Sequence, residues 1–263
     1  MSIFLAHNHK MLKSAGRYVG WVRNNLPPLG ANSIRVKWKK GYAPKYAGPN
    51  EWTDGVHAEL ITCVDPVDNI YDITNSYSDW SSMFAYGADL SDDRLIEILE
   101  GNLQNITSLQ NLCVEQRSLK SVSGIRTSYK LTRCMNMFLY CSSLTQVPLF
   151  DTSEVEVFST MFRGCTSLRS VPVYDTSKGF DLSYMFLDCN SLEAIPQLQT
   201  NSAYDVSGIF DNCYKASTGI LSMYNQMSTQ ANPPSRYAQA FKDCGRDSVT
   251  GSAELAQIPS DWK

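Results

Sequence analysis

Histidine is nearly missing from this chain: three of its 263 residues are His. That leaves little for proton transfer through imidazole near neutral pH. Charge is thin too, with Asp, Glu, Lys and Arg at 19% of residues and a net charge of −3; about a quarter is usual. Nothing in that balance calls for a nucleic acid or an anionic membrane as partner. No apolar run approaches the ~18 residues of a membrane-spanning helix, so membrane insertion is not expected. The opening Met1-Ser2-Ile3-Phe4-Leu5-Ala6 lacks the basic start and the ~7–15-residue apolar stretch of an export signal. Ordinary export is therefore not expected. A glycine-rich phosphate loop, a G-x-S-x-G turn and an H-E-x-x-H helix are also missing. His7-Asn8-His9 is contiguous, whereas HNH nucleases spread those residue types across a ββα-metal fold, so it reads as a flexible or docking arm.

What is present is repetition. Cys141, Cys165, Cys189 and Cys213 stand 24 residues apart. Around them recur Met137-Phe138-x-x-Cys141-x-Ser143-Leu144-x-x-Val147-Pro148, Met161-Phe162-x-x-Cys165-x-Ser167-Leu168-x-x-Val171-Pro172 and Met185-Phe186-x-x-Cys189-x-Ser191-Leu192-x-x-Ile195-Pro196. The frame extends back to Leu119-x-x-Val122 and Leu95-x-x-Ile98. It extends forward to Phe241-x-x-Cys244 and Leu255-x-x-Ile258-Pro259. A fixed period of this length marks a repeat architecture whose units bury their apolar faces against each other. About seven coils of ~24 residues are expected from Asp79 onward.

Val155, Phe158, Met161, Phe162 and Cys165 fall at the spacing of one helical face, after turn and N-cap residues Asp151-Thr152-Ser153. Leu168-x-x-Val171 then reads as a short strand ended by Pro172. The spacing thus predicts helix and strand in every unit. It puts Cys141, Cys165, Cys189, Cys213 and Cys244 in one interior column, with Cys134 and Cys113 at other apolar positions of the frame, as small buried hydrophobes and free thiols. Metal-ligand spacings are absent, and no cofactor is expected.

The Met-Phe-x-x-Cys-x-Ser-Leu-x-x-Val-Pro core with its Asp-Thr-Ser linkers resembles the BspA-like class of bacterial leucine-rich repeats. The likeness covers roughly residues 79–263 and is sharpest over 130–213. It is also similar to repeat proteins of phages and prophages of intestinal bacteria. The resemblance implies an α/β leucine-rich-repeat solenoid and a binding or scaffolding role. The chain departs from the class at Gly219–Ser235, where Asn232-Pro233-Pro234 breaks the rhythm, and in lacking a leader and a wall-sorting tail.

Residues 1–78 carry no repeat and read as a small β-rich capping or docking domain, followed by the repeat domain 79–263. Strands are expected at Arg17–Arg23 and Ile34–Lys39, with a hairpin from Ala58–Val64 and Asn69–Ile73 around Asp65-Pro66-Val67-Asp68. Basic Arg35, Lys37, Lys39 and Lys40, with Trp38, Tyr42 and Tyr46, suggest a nucleic-acid or sugar surface, but a solvated strand face is the simpler reading. Asp92, Asp93, Glu97 and Glu100 read as solvated faces. The preferred candidate surface is the polar middle of each short strand: Lys120-Ser121, Thr145-Gln146, Arg169-Ser170 and Glu193-Ala194. Repetition would hold these pairs rigidly in register.

The expected protein is a non-enzymatic interaction protein. On this reading it is a virion-associated component, docked by its N-terminal domain and released by lysis without an export signal. Its partners would be virion proteins or a cell-surface receptor, with glycan binding and homo-oligomerisation as further options and no nucleic acid. The alternative is a bacterial surface or secreted adhesin for host protein or glycan. A glycosidase using paired carboxylates finds no supporting pair.

Overall fold

The computed structural model describes residues 11–14, 17–21, 26–42, 61–74, 81, 83–84 and 94–263. His7-Asn8-His9, Asp79, Trp80, Asp92, Asp93 and Tyr46 lie outside the described residues.

The first part of the chain is β-structure. Strands β1 (Met11–Ser14) and β2 (Arg17–Trp21) form an antiparallel pair. A separate mixed sheet of six strands contains β3 (Ser33–Trp38), β4 (Ile61–Asp65), β5 (Ile70–Thr74), β6 (Leu95–Asn102), β7 (Ser121–Val122) and β8 (Ile125–Arg126). Its order is β4-β5-β3-β6-β7, with β8 also on β6. The expected hairpin is there as β4 and β5. Asp65 Oδ1 closes its turn by accepting from Val67 N at 2.9 Å and Asp68 N at 3.1 Å, and Asn69 takes the left-handed conformation with φ 58, which Asn tolerates better than most residues. Strand β6, beyond residue 78, pairs antiparallel with β3 and parallel with β7. One sheet therefore spans both segments.

The repeats do not alternate helix and strand. Among the described residues only two α-helices occur, α1 (Ile220–Thr229) and α2 (Val249–Ala256), and neither is in the three near-perfect copies. The expectation of an α/β leucine-rich-repeat solenoid with about seven coils is therefore corrected. The regular architecture is the mixed six-stranded sheet with two late helices, and the copies after it are hydrogen-bonded turns.

Backbone conformation explains the missing helices. Each copy places two residues four apart in the left-handed region: Asn136 and Tyr140, Thr160 and Gly164, Tyr184 and Asp188, Gly208 and Asn212. A right-handed helix cannot run through such residues. In the first of these copies alternate N–H groups turn sideways. Cys134, Asn136, Phe138 and Tyr140 donate to the carbonyls of Val157, Ser159, Met161 and Arg163 in the next copy, at 2.7–3.1 Å. Met137, Leu139 and Cys141 instead donate three residues back, each at 3.1 Å. The same scheme links Phe158–Gly164 to Asp181–Leu187 and Leu182–Asp188 to Asp205–Asp211. The apolar spacing of 3 and 4 that resembles a helix face is thus produced by successive tight turns. Gly164 and Gly208 are required where they stand, because a Cβ there would collide with the rings of Tyr140 and Tyr184.

The side chains expected inside are inside. Phe138, Phe162, Phe186, Phe210 and Phe241 are fully buried and stack with centroids 5.4–5.7 Å apart. Beside them runs a thiol column. Cys165, Cys189 and Cys213 donate through Sγ to the carbonyls of Phe138, Phe162 and Phe186 at 3.1–3.3 Å, and Cys141 to Cys113 O at 3.0 Å. Burial pushes the thiols of Cys165, Cys189 and Cys213 well above the ordinary range. Thr152 and Thr176, read as helix caps, instead donate across the stack to Asp175 O and Gln199 O, both at 2.9 Å. Asp151 and Asp175 do make the expected local turns, accepting from Ser153 N and Ser177 N at 3.0 Å.

The break at Gly219–Ser235 is α1, which buries Ile220, Met223 and Met227 against the last turns. Beyond α2, Trp262 stacks on Tyr237 with centroids 4.2 Å apart, and its carbonyl accepts from Phe241 N at 2.9 Å. Leu255, expected in a strand, belongs to α2.

Two outcomes follow from this packing. Phe186→Ala removes the middle ring of the stack and should cost about 3–5 kcal/mol in urea unfolding; a loss under about 1 kcal/mol would show that the rings do not pack as a column. With a maleimide or disulfide reagent, exposed Cys63 should label in the native chain, slowly because its own thiol is also raised, by burial first and then by Asp65. The other seven cysteines should react only after unfolding.

Candidate functional site

The candidate face lies where each copy turns from its cysteine towards its proline. Lys120, Thr145, Gln146, Arg169, Ser170 and Glu193 are exposed, and Ser121 is half-buried because it pairs with Glu97 of β6. The structure brings them together in two groups. In the first, Lys120 O accepts from Thr145 N at 2.9 Å and from Thr145 Oγ1 at 3.0 Å, and Ser121 forms a parallel bridge with Gln146. In the second, Arg169 O accepts from Glu193 N at 3.0 Å, and Glu193 O accepts from Ser217 N at 2.9 Å and Ser217 Oγ at 3.0 Å. Thr166 Oγ1 donates to Ser142 O at 3.2 Å, just upstream, and ties the groups together.

The order of these rows is set from beneath. Leu119, Leu144, Leu168 and Leu192, one position before each exposed residue, are fully buried. Leu144, Leu168 and Leu192 each donate their N–H to the cysteine three residues earlier at 3.0 Å. The backbone that carries the polar tips is therefore held by packing from beneath. The Arg169–Glu193 ion pair at 3.5 Å has both side chains largely exposed, 75% and 63%. Such a pair adds little to stability.

Two features escaped the sequence reading. Ser217 and Thr218 continue the face, with Thr218 bridging Ala194; the signal was present, since they follow Glu193 and Ala194 by one period, but the copy degenerates around them. Leu149 and Val173, one after each proline, are 63% exposed each and add an apolar strip. Both were hidden by the assumption that apolar residues in the frame point inward.

The basic strand is a different matter. Arg35 is not on a solvated face: it is 5% exposed. Its Nε and Nη2 donate to the two carboxylate oxygens of Asp72 at 2.6 and 2.7 Å, and Nη2 also reaches Pro27 O at 2.7 Å. Strand β3 lies between β5 and β6, and Ser33–Val36, whose side chains alternate between the two faces, are all buried. The half-solvated alternation is corrected accordingly. Lys39, Lys40 and Tyr42 are exposed, and the Arg94 guanidinium lies 3.8 Å over the Tyr42 ring. Glu100, read as solvated, is paired with Arg126 at 2.8 Å. Glu97 is half-buried.

Among the described residues, no group of three or more His, Cys, Asp or Glu has metal-holding geometry. No helix among them is long and apolar enough to cross a membrane.

Residues 132–243, the turn copies and α1, are similar to the family described as "Mycoplasma protein of unknown function, DUF285". That family is distinct from the BspA-like class, and the match covers less than half of the chain. No curated protein matches, and no solved structure matches.

Proposed function

We propose that this chain is a non-enzymatic interaction protein that offers the Lys120–Glu193 face, with Ser217 and Thr218, to a protein or glycan. The supporting observation is the contrast within each copy. The leucine, phenylalanine and cysteine side chains are buried, while the residues after each leucine are exposed and in register across copies. Rigid presentation lowers the ordering cost of binding. The exposed groups are hydroxyls, amides and one ion pair, with Leu149 and Val173 beside them, a mixture that suits a polar partner with a small apolar patch.

The setting we propose is a virion, with the N-terminal β-structure docked on the particle. This part rests on the resemblance of the repeats to phage-carried proteins. A second reading, a bacterial surface or secreted adhesin, rests on the resemblance of the repeats to the BspA-like class.

Two measurements test these parts separately. Mass spectrometry of purified particles against washed cell surfaces should find the chain in the particles; enrichment on cell surfaces alone would favour the adhesin. On a glycan array and in capture of purified particle proteins, Thr145→Ala/Arg169→Ala/Glu193→Ala should lose at least tenfold in affinity against the unmodified chain. Its melting curve should stay near the original, since exposed substitutions usually cost under about 0.5 kcal/mol each. Undiminished binding by the triple variant would remove this face from consideration.

A further inference from the structure

Asp211 stands one period after Leu187 and takes up that residue's buried position. It is 5% exposed. Its Oδ1 has no hydrogen-bond donor. Its Oδ2 has Lys242 Nζ of the following turn at 4.0 Å, a loose contact from a side chain that is 45% exposed. Acidic groups flank it on both sides. Asp188 in the preceding turn accepts from Asn212 Nδ2 at 2.8 Å, and Asp243 in the following one pairs with Arg246 at 3.6 Å. The buried thiols of Cys213 and Cys244 also feel its charge. A carboxylate in this place is poorly solvated, lacks a donor on one oxygen and faces two like charges.

We propose that the contact between the turns 206–212 and 237–243 is an acid-strengthened joint, loosened while Asp211 is ionised and tightened when it takes up a proton. Protonation removes the buried charge and the repulsion from Asp188 and Asp243, and it supplies an O–H that can donate. Burial pushes the Asp211 carboxyl up; Lys242 pulls it back, Asp188 and Asp243 raise it again, and a hydrogen bond from the Asn212 backbone lowers it, leaving it raised on balance. A carboxyl whose folded-state value is raised binds its proton more tightly in the folded chain. The stability it contributes is full below the ordinary value, 3.8, and is lost as pH rises through the folded value. The chain is thus more firmly closed at its Cys213–Cys244 end in mildly acidic surroundings than at neutral pH.

The test is a pair of variants of the full chain, Asp211→Asn and Asp211→Leu, melted between pH 4 and pH 8. Both should melt above wild type at pH 7.5, and the gap should close as pH falls towards 4. Amide hydrogen exchange, corrected for intrinsic rates, reads the joint directly in wild type. Protection over residues 206–247 should rise about twofold or more between pH 7.5 and pH 4, with no comparable change over 134–165. If the variants keep the wild-type pH profile, or the protection of 206–247 does not respond to pH, the joint is not controlled by Asp211. Should either variant fold poorly, the wild-type exchange result decides alone.

Discussion

The backbone hydrogen bonds that leave each turn sideways are the constraint on which the rest of this protein depends. Every second N–H from Cys134 to Tyr140, and again in the copies that follow, is satisfied by the neighbouring copy and not by its own turn. No copy can therefore satisfy its buried polar groups alone, and an unpaired buried N–H or C=O is costly. The same bonds fix the spacing at which the phenylalanine rings stack and at which each cysteine Sγ meets a carbonyl. They also require two left-handed residues per copy, which accounts for Asn, Asp and Gly recurring at those positions.

That scaffold explains why the exposed face can be polar without weakening the fold. The leucines below it carry the burial, so Thr145, Arg169 and Glu193 can stay exposed. The ends are handled by different means. At the start, β6 is both the strand of a sheet with β3 and the row against which Ser121 and Val122 pair, so the open edge of the turns is closed by the sheet. At the other end, Trp262 lies against the last ring, Phe241, with centroids 6.3 Å apart. Asp211 is the one buried carboxylate in the later turns without full pairing, and it sits at the step where the period lengthens to admit α1.

Much of this was legible in the residues. The period, the membership of the buried columns, the hairpin around Asp65 and the polar face at Lys120–Glu193 all follow from spacing and chemistry. The helices were not. Apolar residues at intervals of 3 and 4 suit both an α-helix and a run of tight turns, and the side-chain pattern does not tell them apart. The left-handed residues do, but Thr160, Tyr140 and Tyr184 are not residues that announce that conformation. Arg35 was misplaced for a related reason: alternation along β3 suggested one wet face, whereas flanking strands and Asp72 make both faces dry.

The sequence alone determined that units of one period stack, which side chains point inward, and that the cysteines of the repeats serve as packing groups, because these are properties of pattern and residue type. Only the tertiary structure decided where each backbone N–H finds its acceptor. That choice, between a carbonyl within the same segment and one in the next copy, separates helix from turn. It is settled by which segments lie alongside one another, and no local stretch of chain contains that information.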